Sequence, residues 1–445
     1  MKKRCIEFGT SLFFVLEKYS RIPQSQNTSS VNHSEKNWDV IIIGAGAAGL
    51  MAAASAASLG KQTLLLEKNK KLGVKILMSG GTRCNVTHNC SVREIASGFG
   101  RNGRFLHSPL ATLGPENIRA MLNGEGVETK VESTGKVFPI SNRAIDVRDA
   151  LVRLAKRNGA KIRNETTVVE CTKKTDTPSR FTISTERERL AAHSLIITSG
   201  GRSYPGCGTT GDGYGWAKSF GHTITDLAPA LTPIVSQVPW ANELKGIALQ
   251  KVETKIADRS GQIKMKNDQP ILFTHFGFSG PAPMNVSRLI GLNPDEKFEL
   301  NLDLFPSENQ EQLFNRLTES CRSPEFSAVD QLLNSDWPKR FRDALLGSLQ
   351  INPRDRTAEI SKQRLRQLAT SLKRLAFPIH GTRGYGKAEV TAGGVNLSEV
   401  DSKTMQSKLV PGLFFAGEIL DLDGPIGGFN FQAAFSTGWL AGQNI

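Results

Sequence analysis

The feature that most constrains this 445-residue chain is a short, ordered unit near its start. The run 39–43, which is apolar after Asp39, leads directly into the glycine-rich segment 44–49, and an alanine-rich stretch follows that ends at Gly60. A second apolar run, 63–66, ends at Glu67. Continuous apolar runs are typical of strands buried on both faces of a parallel sheet, and the stretch between them suits a crossover helix. The unit therefore predicts an α/β fold of the Rossmann type.

Each glycine of the segment 44–49 has its own physical task in such a unit. Gly44 permits a tight turn, Gly46 lets the backbone approach a pyrophosphate, and Gly49 lets the helix pack against the strand. The helix then presents unbonded N–H groups and the positive end of its dipole to the phosphates. Glu67 stands where an acid accepts hydrogen bonds from a ribose, and a carboxylate there would repel a 2′-phosphate. The unit therefore predicts a site for FAD or NAD rather than for NADP.

A second glycine-rich segment, residues 68–85, favours FAD over NAD. A simple NAD dehydrogenase would enter its next Rossmann unit here, whereas FAD enzymes use a loop at this place to wrap the extended cofactor. We expect Lys75 and Arg83 to neutralise phosphate charge. Backbone amides near Gly80 and Gly81 are expected to bind the pyrophosphate or the flavin edge. A solvated basic loop is the alternative interpretation of this segment.

Several ordered motifs together resemble one protein family. They are the glycine unit followed by the run 71–87, KLGVKILMSGGTRCNVT, and the segments 198–214, 273–281 and 391–432. This set is similar to the bacterial FAD-dependent flavoproteins often called YhiN-like or BaiN-like, and the similarity extends over residues 39–442. The resemblance implies bound FAD and an NAD(P)/FAD-dependent oxidoreductase of the two-dinucleotide-binding-domain flavoprotein type.

Changes of periodicity predict the domain organisation. Residues 1–37 are expected to form a poorly ordered N-terminal extension, because much of this segment is polar. Residues 38–225 and 376–445 are assigned to a Rossmann-type FAD-binding domain with a parallel sheet. Alternating apolar residues predict an antiparallel, β-rich subdomain over 226–306, and a helical period predicts a helical subdomain over 307–375. The predicted fold class is therefore α/β, with the FAD-binding domain interrupted by this inserted domain, and the family resemblance implies the same insertion.

The predicted FAD contacts come from the glycine turn, the wrapping loop, the strand that returns to the main sheet, and the C-terminal glycine-rich segments. A last helix opens at Gly427, and its N-terminus is expected to face the flavin pyrimidine ring. Asn430 is expected to cap that helix or to contact the flavin. The predicted cofactor-binding residues are Gly44, Ala45, Gly46, Ala48, Gly49, Glu67, Lys68, Gly73, Lys75, Ser79, Gly80, Gly81, Arg83, Cys84, Asn85, Val168, Thr198, Gly200, Gly201, Gly417, Glu418, Gly427, Gly428 and Asn430.

The leading functional hypothesis is an FAD-dependent oxidoreductase. FAD would move a hydride between a reductant, NADH or NADPH, and an organic small molecule whose identity the sequence does not give. His275, in a phenylalanine-rich segment, and Tyr204 are the candidate proton donors, and packing against neighbouring side chains is the alternative role of each. The second substrate is expected between the flavin and the inserted domain.

Three other functions remain open at this point. A flavin disulfide reductase would use Cys84 and Cys90, although their Cys-x5-Cys spacing differs from the Cys-x4-Cys of the glutathione-reductase type. The net charge of +14 suggests, as a second alternative, an FAD-dependent tRNA-modifying or nucleic-acid-associated protein. No RNA-binding signature accompanies that charge, so nucleic acid is not the expected partner. Non-enzymatic flavin storage is the third alternative.

Several features are not indicated by the sequence. No stretch of about 18 uncharged apolar residues occurs, so no membrane span is expected. The six cysteines are scattered without a CxxC pair, which favours a reducing, cytoplasmic location. No metal-ligand spacing is present, and the oligomeric state is not predicted.

Overall fold

The computed structural model describes residues 37–174 and 181–445. The predicted N-terminal extension therefore lies outside the described residues, except for Asn37, which begins the first strand. The strands are β1 (Asn37–Ile43), β2 (Thr63–Leu66), β3 (Thr87–His88), β4 (Thr129–Val131), β5 (Lys136–Pro139), β6 (Lys161–Arg163), β7 (Val168–Lys173), β8 (Phe181–Thr185), β9 (Arg189–Ile197), β10 (Ala228–Ala230), β11 (Ile234–Val235), β12 (Ala248–Leu249), β13 (Glu253–Asp258), β14 (Ile263–Asn267), β15 (Ile271–Thr274), β16 (Gly277–Ser279), β17 (Phe298–Asp303), β18 (Leu375–Pro378), β19 (Gly381–Thr382), β20 (Val390–Ala392) and β21 (Leu413–Phe415). The α-helices are α1 (Ala47–Ser58), α2 (Val74–Thr82), α3 (Val92–Ser97), α4 (His107–Thr112), α5 (Pro115–Gly124), α6 (Ala144–Arg157), α7 (Asp212–Ser219), α8 (Pro239–Asn242), α9 (Pro281–Leu292), α10 (Gln310–Ser320), α11 (Lys339–Ser348), α12 (Lys362–Lys373) and α13 (Phe429–Gln443).

The main sheet carries the predicted parallel strands. Strands β6, β2, β1 and β9 lie side by side in parallel, and β21 joins β9 in parallel through Leu413–Phe415. The antiparallel strands β8 and β7 extend the sheet beyond the first half of β9. All the apolar residues 40–43 of β1 are buried, as a strand covered on both faces requires. The α/β prediction with a parallel sheet is confirmed.

Helices α1 and α13 cover one face of this sheet and approach each other closely. A Cβ atom added at Gly438 would lie 2.2 Å from the carbonyl oxygen of Ala48, and one at Gly442 would lie 2.4 Å from that of Ala52. Small residues thus let the two backbones touch. This contact places the N-termini of both helices at the same end of the molecule as the carboxyl ends of the parallel strands, where open α/β sheets bind ligands.

Additional antiparallel sheets lie in the middle of the chain. One has the order β12-β15-β16-β11-β19, and the other has the order β14-β13-β17-β18. A separate hydrophobic cluster, formed by residues between Ile234 and Phe377, joins these sheets to α10, α11 and α12. The helices suggested by the apolar spacing after residue 307 are therefore present, and their buried faces include Leu313, Phe341 and Leu368.

Two details of this middle region differ from the sequence expectations. Helix α9 lies within the segment 226–306, which was expected to be β-rich. The antiparallel pairing also continues past residue 375, because β18 pairs with β17 and β19 pairs with β11. Two-residue and four-residue strands are too short to show a period, so the pattern could not locate them. The domain boundaries themselves stay a prediction.

The helices are short compared with a bilayer. Within residues 37–174 and 181–445, no helix has the length and apolar character needed to cross a membrane.

Candidate functional site

A cavity of about 720 Å³ lies where the main sheet meets the middle region. Its size falls within the roughly 300–1,000 Å³ of small-molecule and cofactor sites. One wall is formed by the turn before α1 and the residues after β9, and another by the N-terminus of α13. The remaining wall comes from the middle region through Leu231, Pro233, Ser279 and Met284. The cavity is thus bounded by both parts of the fold.

The glycine turn before α1 is fixed by close backbone contacts. Gly44 has a φ of +103°, which an L side chain rarely adopts. A Cβ atom at Gly49 would lie 1.9 Å from the Gly44 carbonyl oxygen, so only glycine lets α1 pack this closely. The Thr198 hydroxyl donates to the carbonyl oxygens of Ile43 and Gly44, both at 2.9 Å, and ties the end of β9 to the turn.

The N-terminus of α1 opens into the cavity. Its N-cap is Gly46, which has no side chain to bond the first amides, and the first turn carries no acid. A Cβ atom added at Gly46 would meet nothing within 4 Å, whereas one at Gly49 would meet backbone. Free N–H groups and the helix dipole therefore face the open space, as binding of a diphosphate requires.

Glu67 braces the turn as well as lining the cavity. Its carboxylate accepts hydrogen bonds from the Ala45 amide at 2.8 Å, the Asn69 amide at 2.9 Å and the Asn69 side chain at 2.8 Å. A carboxylate has about four acceptor sites, so about one remains for a ligand hydroxyl. The side chain is buried, which keeps this arrangement fixed.

The second glycine-rich segment folds as a kinked helix. Ser79, Gly80 and Gly81 leave the helical conformation inside α2, and the two glycines have φ values of +55° and +66°. Gly80 lies against the Asn85 amide, since a Cβ atom there would be only 2.9 Å from it. The kink turns this backbone toward the cavity, where sequence reasoning placed it.

Three basic residues of the site are already paired with acids. Lys75 Nζ lies 2.5 Å from Glu418 Oε2, and Lys68 Nζ lies 2.6 Å from Asp212 Oδ2. Arg83 lies 2.7 Å from a Glu132 oxygen and covers the Phe138 ring at 4.0 Å. Glu418 and Glu132 balance the charges of Lys75 and Arg83 in this structure, and the expected role of the two cations toward phosphate stays a prediction. The partners stand far away in the sequence, so spacing did not reveal them.

Most of the predicted cofactor-binding residues border this one cavity. Those that line it are Gly44, Ala45, Gly46, Ala48, Glu67, Lys68, Gly73, Lys75, Ser79, Gly80, Gly81, Arg83, Asn85, Val168, Thr198, Gly200, Gly417, Glu418, Gly427, Gly428 and Asn430. Gly49 and Gly201 lie behind it as packing positions, since a Cβ atom at Gly201 would reach the Thr391 side chain at 2.4 Å. Cys84 is fully buried in the core and does not line the cavity. Whether the lining residues contact FAD stays a prediction.

The start of α13 is held by its own loop. Asn430 Oδ1 accepts from the Gly424 amide at 2.8 Å, and its Nδ2 donates to the Gly424 carbonyl oxygen at 2.9 Å. The side chain therefore closes the 424–428 loop while it also borders the cavity. The N-cap is Gly428, which has a φ of +96°.

The two candidate proton donors differ in position. Tyr204 lines the cavity and has a φ of +57°, a constrained conformation for a side chain of this size. His275 is exposed, packs edge-on against Phe276 with ring centroids 5.0 Å apart, and does not line the cavity. His275 thus lies on the surface and outside the cavity lining, and its role as a proton donor stays a prediction.

Several lining residues lay outside the motifs used for prediction. They are Lys136, Lys387 and Glu389, and the apolar residues Leu231, Pro233 and Met284. Lys387 and Glu389 immediately precede the glycine motif at 391–394, and that adjacency was the available signal.

The cavity fits an extended dinucleotide such as FAD. Besides the open α1 N-terminus, Asn85 Oδ1 and Ser199 Oγ are buried on its wall and have no hydrogen-bond partner among the described residues. Buried polar atoms are normally satisfied, so these two indicate that a polar ligand belongs there. The polar wall near Glu67 and the apolar wall near Met284 suit a molecule that is polar at one end and aromatic at the other.

Comparison with known proteins identifies the family. A family model described as the HI0933-like protein Rossmann domain matches residues 38–444. The chain belongs to this family. The resemblance to YhiN-like or BaiN-like FAD-dependent flavoproteins, inferred from the motifs, is thereby confirmed, as is the Rossmann-type FAD-binding fold.

Two relatives carry different names. A ribosomal RNA dihydrouridine synthase of Escherichia coli is 33% identical over 418 residues, which cover 92% of this chain and 98% of that protein. A 3-dehydro-bile acid delta(4,6)-reductase of Clostridium scindens is 30% identical over 411 residues, covering 90% of this chain and 97% of that protein. Among solved structures, the open conformation of a flavocytochrome c3 fumarate reductase matches with a TM-score of 0.48 and 16% identity, covering 92% of this chain and 78% of that one.

The cysteines give the disulfide-reductase alternative no support. Cys84, Cys90, Cys171, Cys207 and Cys321 are all free thiols. Burial raises the pKa of Cys84 to about 12 and that of Cys90 to about 11, so neither is a ready thiolate. Neither lines the cavity.

Proposed function

We propose that this protein is an FAD-dependent oxidoreductase that moves a hydride from NADH or NADPH to a polarised carbon–carbon double bond of a second substrate. The observation that carries the proposal is the single cavity that joins the open N-terminus of α1 and Glu67 to an apolar wall from the middle region. A cofactor held at the first end would present its reactive ring at the second.

The residues of the cavity have distinct tasks in this proposal. FAD, when bound, accepts a hydride from a nicotinamide and passes it on. The amides that begin α1 bind the diphosphate, and Glu67 accepts a ribose hydroxyl. Leu231, Met284 and Ile426 form an apolar wall at the far end of the cavity, from which a bound substrate would displace water.

The choice of a double bond comes from the relatives. One name describes the formation of dihydrouridine in ribosomal RNA and the other the reduction of a 3-dehydro bile acid. The two substrates share no skeleton, but both names describe the addition of hydrogen across an unsaturated bond. We therefore propose the reduction of a carbon–carbon double bond as the reaction of this chain. Which of the two kinds of substrate it reduces is a separate question.

The first experiment is purification followed by an absorbance spectrum. We expect a yellow protein with maxima at roughly 370 and 450 nm, the signature of the oxidised isoalloxazine ring. Anaerobic addition of NADH or NADPH should bleach the longer-wavelength band. Correctly folded protein that is colourless and does not take up added FAD would sink the proposal.

Ribosomal RNA is one of two candidates for the substrate that FAD reduces, the other being a bile acid. It is favoured by a basic surface beside the loop 421–428, which borders the cavity and is called the cavity loop below. Arg93, Arg101 and Arg104 are exposed and form no ion pair with any described residue. Arg101 and Arg104 lie three residues apart in the 3₁₀-helix Gly100–Leu106, so their side chains project in the same direction. This helix touches the loop that borders the cavity, because the Asn102 side chain donates to the Asp421 carbonyl oxygen at 2.7 Å.

An experiment can distinguish directly between ribosomal RNA and a bile acid as the substrate. The reduced holoenzyme is mixed under anaerobic conditions either with an unmodified ribosomal RNA transcript or with a 3-oxo-4,6-diene bile acid. Reoxidation of the flavin together with dihydrouridine, detected by mass spectrometry of the RNA, would support the RNA candidate. Reoxidation by the bile acid alone would reject it.

A further inference from the structure

The acids that line the cavity are not equivalent. Four of them are held by hydrogen bonds or ion pairs: Glu67 by Ala45 and Asn69, Glu132 by Arg83, Asp212 by Lys68, and Glu418 by Lys75. Glu389 is different, because its carboxylate forms no hydrogen bond or ion pair with any described residue. It is the acid of this wall that is free to exchange a proton.

The backbone of Glu389 is nevertheless firmly placed. Its amide donates to the Leu231 carbonyl oxygen at 3.0 Å, and its own carbonyl oxygen lies 3.4 Å from the Ser203 hydroxyl. The next residue, Val390, begins β20, which pairs with β10. Glu389 and Leu231 thus stand together where the two parts of the fold meet, on the apolar side of the cavity.

The surroundings of Glu389 raise the pKa of its carboxyl. Desolvation by the protein around the cavity raises the pKa of its carboxyl above the usual value, and Lys75 and Lys136 lower it by a smaller amount. The side chain is exposed to the open cavity, so a ligand that fills the cavity would add to the desolvation. Lys387 lines the same wall, and Glu418 is already neutralised by Lys75.

We infer that Glu389 is the proton donor of the reaction, delivering its carboxyl proton to the substrate carbon that does not receive the hydride. This inference rests on the proposed function. Saturation of a carbon–carbon double bond breaks its π bond and forms two C–H bonds, one from a hydride and one from a proton. NAD(P)H is the source of the hydride and its two electrons, and the Glu389 Oε–H bond supplies the proton. Solvent then returns a proton to the carboxylate through the open cavity.

The first test is a pH titration of the flavin spectrum of the oxidised holoenzyme over about pH 4 to 9. We expect a spectral transition in the wild-type protein that is absent from Glu389→Gln. Asp423→Asn is the matched control, because Asp423 is a buried acid near the site whose pKa is raised to about 7. A transition that persists in Glu389→Gln, that disappears in Asp423→Asn instead, or that is absent from the wild type would overturn the inference.

The second test separates proton delivery from the rest of the reaction. In Glu389→Gln, reduction of the flavin by NAD(P)H should stay within about twofold of wild type, while reoxidation of the dithionite-reduced protein by the RNA transcript or the bile acid should slow by about 10²–10⁴-fold. Glu389→Asp keeps a carboxyl and should recover part of that rate. Tyr204→Phe tests the rival donor, and a loss of rate confined to that variant contradicts the role of Glu389.

The two proposals fail in different ways. If neither probe reoxidises the wild-type protein, the proposed reaction is wrong, and the spectral titration still decides whether Glu389 exchanges a proton beside the flavin. If the wild type is reoxidised and Glu389→Gln is equally fast, the reaction stands and the donor is another group. Glu311→Gln, on the exposed surface of α10, controls for the loss of a negative charge elsewhere.

Discussion

Glycines that look alike in the motif meet different surroundings in the fold. A side chain at Gly46 would enter open space, whereas one at Gly49 would strike the Gly44 carbonyl oxygen. The first glycine leaves room for a ligand, and the second leaves room for the strand beneath the helix. The motif alone suggested these tasks, and the distances now assign them.

Gly46→Ala and Gly49→Ala should therefore fail differently. We expect Gly46→Ala to keep the stability of the cofactor-free protein within about 0.5 kcal/mol while its dissociation constant for FAD rises at least about tenfold. Gly49→Ala should lower the free energy of unfolding by about 1–3 kcal/mol, because the extra methyl group overpacks a backbone contact. Thermal unfolding without FAD and FAD titration by fluorescence measure the two effects. Equal behaviour of the two variants would contradict this division.

At the residue scale, the positions that could be predicted are those set by local spacing. The turn glycines and Glu67 lie within one unit, and their positions followed from its known spacing. The pairing of Lys75 with Glu418 could not be predicted, because it joins residues on opposite ends of the chain. Cys84 was expected at the cofactor, but its side chain is fully buried in the core and does not line the cavity.

Among the elements, the contact between α1 and α13 supports the site. Gly442→Ala would push a methyl group against the Ala52 carbonyl oxygen at 2.4 Å. We expect a loss of about 1–3 kcal/mol in the free energy of unfolding, together with weaker FAD binding, because the N-terminus of α1 shifts. Gly215→Ala is the matched control, since that glycine is exposed within α7 and has nothing within 4 Å. There the same change should stabilise the helix by up to about 1 kcal/mol. Differential scanning calorimetry compares the two variants, and a stable Gly442→Ala protein would show that the helices tolerate separation.

Helix α9 is joined to the cavity loop by a buried acid. Arg288 Nη1 lies 3.4 Å from Asp423 Oδ2, while Asp423 Oδ1 is buried without a partner. Burial raises the pKa of Asp423 to about 7, and Arg288 lowers it by less. Asn285 on the same helix accepts a hydrogen bond from the Ile426 amide at 2.9 Å. The element that approaches the substrate end is therefore attached through a group that titrates near neutrality.

This attachment predicts a pH-dependent stability. Between about pH 4 and about pH 7, the folded protein holds a proton on Asp423 that the unfolded chain has lost, so the contribution of this group to stability falls as the pH rises. Asp423→Asn removes that titration. The melting temperature of the variant minus that of the wild type should be larger at about pH 8 than at about pH 5. A difference that does not change with pH, or that changes in the opposite direction, would show that the Arg288 pair outweighs the desolvation.

The longer elements followed from their patterns, and the shortest did not. Apolar and polar residues alternate over 298–303, and this segment forms strand β17. Leu365, Leu368 and Leu372 have helical spacing, and they lie on the buried face of α12. Strands such as β11 and β19 contain two residues each and pair across a long stretch of chain. Such strands are stabilised by tertiary contacts, so no local sequence pattern predicts them.

At the scale of the whole molecule, the net charge of +14 separates the two candidate substrates. A bile acid carries one carboxylate and gains little from a basic surface, whereas RNA presents a phosphate for every nucleotide. Binding of RNA releases counterions, so its affinity falls steeply as the salt concentration rises. Arg101 and Arg104 are exposed cations beside the loop that borders the cavity, so they are candidates for such contacts.

The double variant Arg101→Ala/Arg104→Ala tests that placement. If both side chains contact phosphates, the slope of log affinity against log salt should decrease in magnitude by up to about 2, since each lost contact removes about 1. Arg259→Ala/Arg322→Ala removes the same charge from exposed positions of the middle region and should leave the slope nearly unchanged. Reduction of the flavin by NAD(P)H should be the same in all three proteins. If both double variants have equal slopes, the basic charge acts without a defined surface. If the wild type does not bind RNA even at low salt, the substrate is a small molecule.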